Sequence, residues 1–258
     1  RIEAIREEAG LDRPFLVQFG DYVLHLIQGN FGNSIESGRP VGKIIAKAFP
    51  VTLMVGLSAT LILTIFGVIF GVIAALNHNK WIDSIIMAFT LVIWGIPVFV
   101  SGPLLMVLFV SVLKLSEIPY GWSGLFSPKI ILPLITLSLT PMALVIRQAR
   151  SAVLEVLNED YIRTAKSKGI PNLLIIVRYI MRPVLTPVFS QIGLIIINML
   201  NNAVLIETVF GLPGLGRLTV RAVTSSDYPV IMAIVFIGGT VVMTVNLFVD
   251  LVYPLLDP

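Results

Sequence analysis

Asn158-Glu-Asp-Tyr-Ile-Arg-Thr-Ala-Lys-Ser-Lys-Gly-Ile-Pro171 is a short polar run lying between long apolar ones, and it carries its own start and stop signals. Asn158 suits an N-cap, and Glu159 and Asp160 place negative charge in the first turn. Lys166 and Lys168 place positive charge in the last turn, where Gly169 and then Pro171 end the helix. Ile162 and Ala165 lie near one face with Tyr161 beside them, a narrow apolar stripe on a helix too short to be stable alone. Such a helix must dock on something, either the ends of its own neighbours or a separate protein.

The flanks of this run are membrane-like. Of 258 residues, 56% are hydrophobic and 13% charged, with a mean hydropathy of +0.94, more apolar than a soluble domain can bury. Charge-free runs extend over 48–77, 84–113, 130–146, 183–206 and 228–249, most of them reaching the roughly 20 residues that cross a bilayer core. No run has the alternating pattern of a membrane β-strand, so the expected fold is all-α, a polytopic membrane helical bundle with five spans. The 130–146 run holds Pro133 and Pro141, and its helix is expected to continue past Arg147 and Arg150. Pro97 and Pro103 are expected to kink the second span, while Gly67 and Gly71 let a neighbouring helix approach closely.

Two regions are expected: residues 1–50, extracytoplasmic, and a membrane domain over 51–258 with a cytoplasmic loop at 150–183. Within the first, Phe15, Leu16, Phe19, Tyr22, Val23, Leu26 and Ile27 recur at helical spacing. They predict an amphipathic helix that either lies on the membrane surface or packs on the rest of the chain. Orientation follows from the cluster Arg147, Arg150, Arg163, Lys166, Lys168, Arg178 and Arg182, which places that loop in the cytoplasm. The formal charge of +3 and pI near 9.3 reflect basic residues beside helix ends, so a nucleic-acid partner is not expected. The chain has no cysteine, hence no disulfide or thiolate metal site. It opens with Arg1 rather than Met, which points to a further N-terminal piece.

The residue chemistry excludes several functions. His25 and His78 stand far apart without an acidic cluster, so no metal site is expected. Gly211-Leu-Pro-Gly-Leu-Gly-Arg-Leu218 has a superficial likeness to a phosphate loop. Arg217 stands where the lysine belongs, however, and Leu218 where the magnesium-binding hydroxyl belongs. Any ATP must be handled by a partner. Asp83, Glu207 and Asp250 sit at the edges of apolar runs and none lies inside one, which counts against an ion-coupled carrier acting alone. Asn198, Asn201 and Asn202 either line a polar pathway, together with Glu207, or hydrogen-bond to a neighbouring helix.

The run Asp160-Tyr-Ile-Arg-Thr-Ala-Lys-Ser-Lys-Gly169, followed by Arg178 and Pro187, resembles the cytoplasmic coupling loop of bacterial ABC importer permeases. The likeness is greatest for the dipeptide, oligopeptide and nickel branch. Further matches are Gly29-Asn-Phe-Gly-Asn-Ser34, Pro50 with Thr52, Arg147 through Arg150-Ser151, and Glu207-Thr-Val-Phe-Gly-Leu-Pro-Gly-Leu-Gly216. Asp227-Tyr-Pro229, Asn246 through Asp250 to Tyr253, and Asp257-Pro258 complete the set, which covers nearly the whole chain. Arg163-Thr-Ala165 departs from the family's Glu-Ala-Ala, and Pro183 replaces a small polar residue.

The resemblance implies the type I permease fold, with one helix before this chain and six spans in the complete protein. It also implies a non-catalytic subunit of the bacterial inner membrane. Such a subunit works with a second homologous permease, two ABC ATPase subunits that bind ATP and Mg, and an extracytoplasmic substrate-binding protein. By the same resemblance Asp160, Tyr161, Arg163, Ala165, Lys166 and Gly169 contact the ATPase. The cargo is a di- or oligopeptide or, as the alternative, a nickel or metal chelate.

Overall fold

A computed structural model describes residues 14–115 and 118–256. In chain order the helices are α1 (Phe15–Ile27), α2 (Val41–Leu76), α3 (Trp81–Gly95), α4 (Val98–Met106), α5 (Ile131–Leu157), α6 (Asp160–Ser167), α7 (Met181–Phe210), α8 (Leu215–Thr224) and α9 (Tyr228–Leu256). Wider π-helical turns extend α4 through Val107–Val112 and precede α7 at Ile175–Ile180. Among the described residues the only β-pairing is an isolated bridge between Asn33 and Pro40.

Four stretches are long and apolar enough to cross a bilayer: Val41–Leu76, Pro128–Leu157, Asn172–Met199 and Tyr228–Val252. They correspond to four of the five expected spans. The expected second span is not a straight rod: Trp81–Gly95 and Val98–Val112 meet at 105°. Its cause is local. Ile96 takes an extended conformation before Pro97, whose ring excludes the helical conformation from the residue preceding it. Pro103, by contrast, is accommodated inside α4. A second bent pair, Asn202–Phe210 and Leu215–Thr224, turns through 86°. The α2 helix begins at Val41, so a division at residue 50 falls inside it, and Pro50 is an internal helical residue.

The centre of the bundle is α2 against α5 and α7. Gly67 and Gly71 are there because nothing larger fits. A Cβ at Gly67 would meet the Val145 side chain at 2.7 Å, and one at Gly71 would meet Ala149 Cβ and the Ile146 carbonyl oxygen at 2.7 Å. Backbone approach of this kind suits an apolar solvent, where close packing rather than expulsion of water holds helices together. Ser138 adds a hydrogen bond from its hydroxyl to the Ala59 carbonyl at 3.2 Å. A smaller core at the end of the molecule away from α6 joins Val41, Ile45 and Ala48 of α2 to Leu215 and Ala222 of α8 and Val230 and Ala233 of α9. The α9 helix lies on the outside, with Gly193 of α7 against Val249. Phe19, Val23 and Leu26 of α1 share a groove with Ile231, Val235 and Phe236 of α9.

Candidate functional site

The α6 helix is docked on its own chain by the stripe read from the sequence. Ile162 is fully buried and Ala165 nearly so, in the core that also holds Val153 and Val156 of α5 and Ile175 and Ile180. The remaining face is left in water: Asp160, Arg163, Lys166 and Lys168 are exposed, and Tyr161 keeps 43% of its surface. Partial burial, with the Glu159 carboxylate nearby, pushes the Tyr161 hydroxyl above its ordinary value. Arg163 approaches Asp160 at 3.7 Å, one turn away.

The ends of α6 differ in one respect from expectation. Asn158 is not the N-cap. The α5 helix runs to Leu157, so Asn158 closes it in a helical conformation, and its side-chain amide donates to the Leu154 carbonyl at 2.9 Å. The extended residue that starts α6 is Glu159. The C-terminal end is as expected. Gly169 has φ +71°, its N–H donates to the Lys166 carbonyl at 3.0 Å and that of Ile170 to the Ala165 carbonyl at 3.3 Å. This paired closure requires a left-handed residue, which glycine supplies without strain. Pro171 then starts the next turn, Asn172–Leu174. The result is a short helix, closed at its C-terminal end by Gly169 and joined to a span at either side.

At the opposite end a buried carboxylate organises the chain. Glu207 of α7 is fully buried; Thr52 donates its hydroxyl to Oε1 at 2.6 Å, and the Arg217 N–H donates to Oε2 at 3.1 Å. Thr52 in turn accepts the Leu215 N–H at 2.7 Å. One acid and one hydroxyl thus satisfy the free N–H groups at the start of α8, where negative charge is favoured. The glycines follow from this geometry: a Cβ at Gly214 would strike the Glu207 carboxylate, and one at Gly216 would strike the Val204 backbone. Gly211, at φ +67°, leaves room for the Tyr120 ring, and Arg217 donates to its carbonyl at 2.7 Å. What resembled a phosphate loop is a sharp corner closed around a side chain of its own helix. A run of glycines following an acid by a few residues was the available signal, and sequence reading placed Glu207 on a pathway instead.

The other expected pathway residues lie on the same helix, α7. Asn198 is exposed and donates to the Leu194 carbonyl of its own helix at 2.9 Å, Asn202 is half-buried, and the side chain of Asn201 lies outside the described residues. The cavity beside them, about 330 Å³ between α2, α7 and α9, is lined mainly by apolar groups including Leu57, Ile196, Met199 and Phe248, with Thr52, Thr60 and Thr244 as its hydroxyls.

A polar cluster also ties the N-terminal segment to the α8–α9 turn. Asp227 accepts from the Ser34 hydroxyl at 2.5 Å and from the Ile35 N–H at 3.1 Å. Burial would raise its carboxyl, but bonds from Ser34, Ile35, Glu36 and Val230 outweigh that and hold it below its ordinary value. Arg221 pairs with Glu36 at 2.7 Å alongside.

A chain whose described elements are all helices, with membrane-length rods, a short helix with an exposed polar face between two of them and a carboxylate-held corner at the far end, is a membrane transport component by class. Residues 67–258 match the family described as binding-protein-dependent transport system inner membrane component, and the chain belongs to that family. It is 36% identical over 263 residues to the glutathione transport system permease protein GsiC of Salmonella choleraesuis, covering all of this chain and 83% of that protein. It is 36% identical over 250 residues to the oligopeptide transport system permease protein OppB of Salmonella typhimurium, covering 96% of this chain and 81% of that protein. The probable D,D-dipeptide transport system permease protein DdpB of Escherichia coli is 34% identical over 283 residues, covering 100% and 83%. Among solved structures, a chain of the inward-facing methionine ABC transporter MetNI superposes with a TM-score of 0.69 at 13% identity, over 83% of this chain and 97% of that one. That likeness establishes the shared fold. The family match and the relatives above make the chain an ABC importer permease of the bacterial inner membrane.

Proposed function

We propose that the chain is the transmembrane permease subunit of an ATP-driven importer of di- or oligopeptides, and that α6 is the element through which ATPase subunits move it. The carrying observation is the split character of α6: an apolar stripe fastened to two spans, and an exposed polar face left uncovered by the described residues. Asp160, Tyr161, Arg163, Lys166 and Gly169 belong to that exposed side or its closure, whereas Ala165 holds the helix to the bundle. When two ATPases close on ATP, a rigid helix gripped in a groove transmits displacement to α5 and α7, and alternating access follows. ATP and Mg belong to those subunits. A second, similar permease and an extracytoplasmic binding protein complete the assembly. Peptide cargo is favoured by relatives named for glutathione, oligopeptides and D,D-dipeptides; none of these three is named for nickel.

The test is ATP-dependent uptake of radiolabelled trialanine by proteoliposomes holding the assembled complex. Asp160→Lys should lower uptake at least tenfold and weaken co-purification of the ATPase, with the thermal midpoint of the isolated chain within a degree of wild type. Unchanged uptake in Asp160→Lys, or transport without ATP, would falsify the proposal.

A further inference from the structure

The α3 helix, first half of the broken span, is held at both ends by two arginines of α5. Asp83, in its first turn, is almost fully buried; Arg150 donates Nε to Oδ1 and Nη2 to Oδ2, both at 2.7 Å. The Asn79 N–H reaches Oδ2 at 3.2 Å, so the turn from α2 is drawn into the same cluster. Arg150 Nη2 also donates to His78 Nδ1 at 3.0 Å. His78 Nδ1 also lies 3.4 Å from Asp83 Oδ2, so the imidazole joins the same cluster. At the other end of α3, the Arg147 guanidinium lies 4.6 Å from the centroid of the Trp94 ring, cation over aromatic face.

The spacing is informative. Asp83 and Trp94 are separated by about 16 Å of helix, whereas Arg147 and Arg150 are about one turn, roughly 5 Å, apart. Two cations so close hold both ends of a longer helix because each arginine reaches outward. A helix fastened at two separated points can neither roll nor swing relative to the one that fastens it. Gly71 strengthens the joint, because the Arg150 backbone nitrogen would lie 3.1 Å from any Cβ there, packing α2 tightly at the same level. The α5 helix ends at Leu157, two turns past Arg150, and α6 follows directly.

We infer that Asp83, Arg150 and the Arg147–Trp94 pair form a clamp that makes α3 one body with the α5–α6 end, so that displacement of α6 is delivered to the break between α3 and α4. Asp83 and Arg150 are positioning residues for transport. The inference rests on the function proposed above for its consequence, though not for the clamp itself.

The absence of native cysteine allows spin labels to be placed at will. The exposed Ile85 and Arg163, each replaced by cysteine in the full chain in lipid nanodiscs, report the distance between α3 and α6. Asp83→Asn and Arg150→Gln should each broaden that distribution at least twofold, and the charge exchange D83R/R150D should narrow it again. In the reconstituted complex both single variants should lower trialanine taken up per ATP hydrolysed at least fivefold, with hydrolysis itself within twofold, and the exchange should regain at least half. Trp94→Leu leaves the ion pair in place and should broaden the distribution by itself, which keeps the test open if the charge variants fail to fold. Wild-type widths in Trp94→Leu and the foldable charge variants, or single-variant losses that the exchange does not restore, overturn the clamp. A wild-type complex that takes up no trialanine counts against the proposed function and leaves the distance result to decide the clamp.

Discussion

The α6 helix and the α7–α8 corner treat polar groups in opposite ways. On α6 charge is turned outward: Asp160 and Arg163 are mostly in water, and their 3.7 Å approach satisfies nothing buried. At the corner charge is turned inward: Glu207 is enclosed, and its oxygens and the Thr52 hydroxyl take up the N–H groups that begin α8. A buried, fully partnered carboxylate fixes a shape, whereas an exposed set of charges on a fixed helix is available to another molecule. The corner specifies geometry and α6 offers contact.

The largest effect should come from removing the inward charge. Glu207→Ala strands Thr52 and the α8 N–H groups and opens a void at the corner, and it should cost about 3 kcal/mol, read as a lowered thermal midpoint in detergent. A midpoint within a degree of wild type would mean the corner is held by packing alone. Next is Ile162→Ala, which removes the buried anchor of α6 and should cost about 2 kcal/mol, with amide exchange accelerated over 160–167 and little changed at 215–224. Equal acceleration in both segments would erase the distinction between them.

Asp227 offers a milder test of inward charge. Its folded carboxyl titrates below the ordinary 3.8, so the stabilisation is complete above that value and is lost as pH falls through the lowered one. Hydrogen exchange over 30–40, corrected for intrinsic rate, should be the same at pH 6 and 5 and rise only below pH 4, and Asp227→Asn should remove the transition. The smallest effect belongs to the outward charge. Arg163→Ala should change stability by no more than about 0.3 kcal/mol, because an exposed one-turn ion pair is screened by water. The same variant scored for ATPase co-purification asks whether Arg163, which departs from the related families' pattern, touches the partner.

What could be read from the amino acids follows the same division. The helical class, four of the spans, the stripe of Ile162 and Ala165 and the stop at Gly169 rest on periodicity and on single-residue backbone preferences, both of which are local. Asn158 was misassigned because the choice between ending one helix and starting the next turns on how far α5 persists. The break at Pro97 was expected only as a kink, since proline signals a disturbance and its angle depends on what the two halves pack against. In the sequence Glu207 reads as an acid at the edge of an apolar run or a pathway residue, and Asp83 only as such an edge acid. Their partners lie 155 and 67 positions away in the chain, and no spacing rule reaches across such a separation.

The crossing at Gly67 and Gly71 has a consequence for how the bundle can work. With a valine methyl and a carbonyl oxygen already occupying the space that any Cβ would need, α2 and α5 are seated like teeth in a gear and cannot slip past one another without unmeshing. They therefore move as one body. In the mechanism proposed above, a displacement of α6 is shared by α5, α2 and the clamped α3, and relative motion is left to α4, beyond the break at Pro97.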